Sequence, residues 1–100
     1  MKITLQYFAG CPHMALAEQR LAEVLPEVGL TASDIERQVV ESPERALLLD
    51  FHGSPTVVVN GRDAFPVDAA PAGFACRVYQ TLDGPQGAPT VAQLREVLTR

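Results

Sequence analysis

Two thiols and two imidazoles are the side chains of this sequence best suited to chemistry: Cys11, Cys76, His13 and His52. Cys11 stands in the run Tyr7-Phe8-Ala9-Gly10-Cys11-Pro12-His13-Met14, between an alternating segment and a helical one. A thiolate, not a thiol, attacks disulfides and binds soft metals. The unpaired N–H groups and positive dipole end of a helix N-terminus both favour that anion. Pro12 suits the first position of a helix, which puts Cys11 at or beside the N-cap. His13 falls in the same first turn, where a protonated imidazole would add to the effect. A cysteine is also a small hydrophobe at home in a core. Its place at a strand-to-helix turn is what favours reactivity.

The other candidates carry less. Cys76 lies in Phe74–Gln80 and shares a strand face with Phe74 and Val78, so core packing is its first reading. Its alternative role is a resolving thiol for Cys11, which fails if the Cα atoms stay more than ~7 Å apart. His52 reads as a residue at the end of the second helix, meeting its negative dipole. Cys11 with the two histidines has no ligand-spacing signature, so no metal site is expected. Two cysteines are too few for a disulfide scaffold or a four-ligand zinc site.

The elements that would position these groups follow from pattern. Ile3, Leu5 and Tyr7 alternate with Lys2, Thr4 and Gln6, predicting a strand from Lys2 to Phe8. Met14, Ala17, Leu21, Val24 and Val28 recur at helical spacing, and Pro26 and Gly29 end or bend that helix. Asp34–Glu41 is a strand. Ser42-Pro43 starts a short helix, Glu44–Phe51, closed by Gly53. Ser54-Pro55-Thr56 opens a β-branched strand, Thr56–Asn60, and Asn60-Gly61 signals a turn. Phe74–Gln80 reads as the next strand, reached by a long connection, Gly61–Gly73. The loop Asp83–Gly87 leads to a last helix with Thr90 and Gln93 spaced as a capping box. The order is βαβαββα, an α/β fold with a four-stranded mixed sheet and helices on both faces.

At 100 residues with 47% hydrophobic and 20% charged content, one globular domain over residues 1–100 is expected. A net charge of -4 argues against nucleic acid as a partner, since phosphate binding needs clustered Lys and Arg. No run approaches the ~18 apolar residues of a spanning helix, so no membrane partner is expected. No signal peptide is visible, and the expectation is the cytoplasm, where thiols stay reduced.

The motifs Tyr7–Met14 and Gly53-Ser54-Pro55-Thr56-Val57-Val58-Val59-Asn60-Gly61, in that order and with the elements following them, resemble the thioredoxin family. The resemblance spans nearly the whole chain. It implies that Cys11 is the attacking cysteine and that Pro55 has a cis peptide bond facing it. Ser54, Thr56 and Pro12 would then shape a substrate groove, with a backbone edge on which an extended peptide or glutathione pairs. Met14 stands where the family's resolving cysteine would be, so an external thiol or Cys76 must resolve a mixed disulfide. The implied function is monothiol or glutathione-linked exchange with a protein disulfide or a low-molecular-weight thiol. It needs no cofactor beyond glutathione as a co-substrate. Two alternatives stand beside it. One is a binding module that keeps the fold without the chemistry. The other is soft-metal or organomercurial handling by Cys11 and Cys76, with Asp63 or Asp68 as proton donor.

Overall fold

The computed structural model of the chain describes residues 1–66 and 72–100. Alternation of Ile3, Leu5 and Tyr7 with Thr4 and Gln6 builds the central strand, β1 (Ile3–Tyr7). The side-chain period of two sends the first three to one face of the sheet. β1 pairs in parallel with β2 (Ile35–Val39) and antiparallel with β3 (Thr56–Val59).

Asn60 and Gly61 have φ of +51° and +82°, and two successive residues of positive φ make the tight turn whose twist suits a hairpin. The chain therefore returns at once as β4 (Arg62–Asp63), with Val59 opposite Arg62. Among the described residues the main sheet has four strands in the order β2-β1-β3-β4. This corrects the expectation that Phe74–Gln80 supplies the fourth strand. The turn at Asn60-Gly61 already returns the chain to the edge of β3. Residues Tyr79–Thr81 (β5) instead pair with Gly84–Gln86 (β6) in a separate hairpin.

Three α-helices are present among the described residues. α1 (Met14–Val24) and α3 (Val91–Leu98) bury Ala17, Leu21, Val24, Leu94 and Leu98 against Ile3, Leu5 and Val57. Each large apolar side chain sealed there contributes roughly 1.5–3 kcal/mol, so this face holds most of the core. Gly29, with φ of +79°, ends the 3-10 turn Leu25–Val28 that follows α1. Thr90 caps α3 as the sequence pattern requires, accepting from the Gln93 N–H at 3.1 Å while Gln93 Oε1 accepts from the Thr90 N–H at 2.9 Å.

The opposite face is covered less than expected. α2 (Pro43–Leu48), capped by Ser42, packs only a small cluster of Val40, Ala46 and Phe51. The six-residue helix is too short to span the sheet. A cavity of about 700 Å3 remains over Gln6, Thr56 and Val58. No helix of the described residues is long and apolar enough to cross a membrane.

Candidate functional site

The first turn after β1 carries Cys11. Gly10 has φ of +82°, and the Cys11 N–H donates to Phe8 O at 3.2 Å, closing a turn over Phe8–Cys11. α1 begins only at Met14, with His13 at its N-cap. Cys11 thus lies two residues ahead of the cap, not on it, and Pro12 is not the first helical residue. The Phe8–Cys11 bond spends these residues on a turn, and the helix can start only after it. Cys11 is partly exposed, Pro12 exposed, and both cysteines are free thiols.

This turn is fastened to a second one. The Phe8 N–H donates to Ser54 Oγ at 3.2 Å, and the Ser54–Pro55 bond is cis. The next link corrects two readings. Ser54 forms a parallel bridge with Cys76: its N–H donates to Ala75 O at 2.8 Å, and its carbonyl accepts from the Arg77 N–H at 2.9 Å. Cys76 is therefore exposed at the Ser54 end of the sheet, not packed in the core with Phe74 and Val78. Those two are themselves 39% and 62% exposed. Ser54 and Thr56, expected to shape an open groove, are 0% and 2% exposed, and Pro55 is fully buried beside them.

The side chains that seal this corner are Arg77 and Tyr79, which the sequence pattern did not single out. Arg77 donates to Asp63 Oδ2 at 2.7 Å, to Thr56 Oγ1 at 3.2 Å and to Phe65 O. Its guanidinium lies 4.7 Å from the Tyr79 ring centroid, within cation–π range. The Tyr79 hydroxyl donates to Pro55 O at 2.5 Å. A lone cation in the apolar run Phe74-Ala75-Cys76-Arg77-Val78-Tyr79 was the available signal, because a buried Arg requires a partner.

Burial pushes the Tyr79 hydroxyl well above the ordinary tyrosine range; Arg77 opposes this, while Asp63 and Cys11 add to it. The sign of the pH effect follows. Below the ordinary value of 10.0 both folded and unfolded chains keep the proton. Above it the unfolded chain releases the proton first, so stability falls by about 1 kcal/mol per pH unit. Tyr79→Phe is expected to remove that component. Urea unfolding of both proteins from pH 8 to about pH 11 measures it, and parallel curves would contradict the assignment.

The remaining candidates separate. His13 packs its ring against Gly87, where any added Cβ would overlap the imidazole. His52 belongs to the other face of the sheet, lining the cavity there. Its Nε2 lies 3.2 Å from Asp50, and its Nδ1 is buried with no hydrogen-bond partner among the described residues. The structure does not bring the two histidines together. Asp63 is engaged by Arg77 and by the Phe65 N–H, which leaves it poorly placed as a free proton donor. Asp68, and residues 67–71 of the long connection, lie outside the described residues. Among the described residues no group of three or more His, Cys, Asp or Glu side chains could hold a metal ion.

No protein-family model matches this chain, and no curated protein or solved structure does either.

Proposed function

We propose that this chain is a thioredoxin-like thiol-exchange protein acting through Cys11. The strand order β2-β1-β3-β4, parallel in its first pair and antiparallel thereafter, supports the reading, as does the packing of α1 and α3 on one face. The observation that carries it is the junction of two turns. The Cys11 N–H donates to Phe8 O, the Phe8 N–H donates to Ser54 Oγ, and Pro55 O accepts from the Tyr79 hydroxyl. A cysteine that is partly exposed on a fixed backbone is what an exchange reaction needs, because the attacking thiolate must meet the disulfide in line.

The chemistry is a displacement. The Cys11 thiolate bonds to one sulfur of a disulfide, and the other sulfur departs as a thiolate. His13, held against Gly87 two residues away, is the nearest imidazole in sequence to exchange a proton with either sulfur. Capture of a soft metal ion by Cys11 and Cys76 is a second reading, favoured by the exposure of Cys76 at the same end of the sheet.

Accessibility alone would favour Cys76, so the two thiols provide the test. The Cys76→Ser protein is expected to react with glutathione disulfide at least about tenfold faster than Cys11→Ser, with the adduct mapped to Cys11 by mass spectrometry. Equal rates, or a faster Cys76, would remove Cys11 as the reactive centre.

A further inference from the structure

We propose that Cys11 exchanges with disulfides as compact, low-molecular-weight substrates and gives an extended protein segment no strand-pairing advantage, because the chain's own Ala75–Arg77 fills the strand-pairing edge beside Pro55. The inference rests on the reading of Cys11 as the exchanging thiol and narrows its substrate class. An extended peptide that adds to an exposed strand edge draws its affinity from main-chain hydrogen bonds. The supply of such bonds at this corner can be counted group by group.

Ser54 spends its N–H on Ala75 O and its carbonyl on the Arg77 N–H. Pro55 has no N–H, and its carbonyl accepts from Tyr79. Thr56 is paired with Gln6 across β1 and β3, and its hydroxyl donates to Gly53 O at 2.5 Å. Every N–H from Ser54 to Thr56 therefore has an internal partner, and all three residues are buried.

The segment that fills the edge is also anchored. Arg77, 5% exposed, holds it to Asp63, and the Phe74 ring rests 5.2 Å from that of Phe8. Gly53 allows the close approach, since a Cβ there would lie 2.8 Å from Arg77 Cβ. A peptide could pair with Ser54 only by expelling this strand. A small disulfide has no need of the edge: one of its sulfurs must reach the partly exposed Cys11 and nothing more. Cys11 then forms the new S–S bond and the second substrate sulfur leaves as a thiolate; a second thiol, Cys76 or one from solution, then displaces the substrate sulfur from Cys11.

Two reagents with a common leaving group test this on the full chain, using the Cys76→Ser protein so that Cys11 is the single thiol. They are the nitrothiobenzoate mixed disulfides of glutathione and of a nine-residue extended peptide with one central cysteine. The rate constants are expected to agree within about threefold, since the peptide gains nothing from its flanks. Hydrogen exchange is expected to show the Ser54 and Arg77 amides protected before and after reaction with either. A peptide faster by more than about tenfold, with loss of protection at those amides, would overturn the proposal. Absence of any Cys11 adduct from both reagents would overturn the underlying reading as well, and only that result bears on it.

Discussion

Arg77→Ala is expected to destabilise the protein by about 3–5 kcal/mol, the range for removing one partner of a buried ion pair. Its side chain is 4% exposed, against 18% for that of Asp63. Truncation leaves the Asp63 carboxylate largely desolvated without its cation and takes a donor from Phe65 O and Thr56 Oγ1. Most of the loss is thus a penalty on groups left behind, not the net worth of the pair. The double variant Arg77→Met, Asp63→Asn separates the two, because replacing both charges removes the stranded one and is expected to recover more than half of the loss. Urea unfolding with an unchanged slope is the measurement. A single-variant loss under about 1 kcal/mol, typical of a solvated pair, would mean that Arg77 does not anchor the Ala75–Arg77 strand.

That same strand shows where sequence reasoning reached and where it stopped. Local signals with a short physical range were legible. The Thr90–Gln93 box, the Ser42-Pro43 start and the Asn60-Gly61 turn all act within three residues, and each is where the pattern puts it. The parity of Phe74–Gln80 was not legible, because it is set at long range. Hydrophobicity turns Phe74, Cys76 and Val78 inward, yet the folded chain buries Arg77 and Tyr79 and exposes the others. A one-residue slip exchanges the two faces of a strand, and here the slip is fixed by Asp63, Phe65 O and Pro55 O, partners 12 to 24 residues away. Gly53 was misread for a related reason. It reads as the stop of α2, but that helix is already capped at Leu49. The glycine with φ of +116° is needed because Arg77 crosses its Cα. At the site, the strand, the turn and Pro55 were readable. The N-cap was not, because the Phe8–Cys11 turn delays the helix by two residues.

The corrected position of Cys76 has a kinetic consequence. Met14 gives Cys11 no thiol partner within its own turn, so a mixed disulfide there must wait for another sulfur. Cys76 stands across Ser54 from the residue that fixes the Cys11 turn, exposed and free. An attached thiol acts at an effective concentration on the order of mM or more. It outcompetes trace external thiol provided the Cα atoms can come within roughly 4.4–6.8 Å. In the wild-type protein, one equivalent of glutathione disulfide is therefore expected to yield a Cys11–Cys76 disulfide, with both glutathione halves released as thiols. In Cys76→Ser the Cys11 adduct should persist about a hundredfold longer, a ratio expected when an intramolecular step is lost. Intact-mass time courses of the two proteins read this directly. Adducts of equal lifetime would make Cys76 a bystander held on the Ser54 edge for packing alone, and the thiol that restores Cys11 would then have to come from solution.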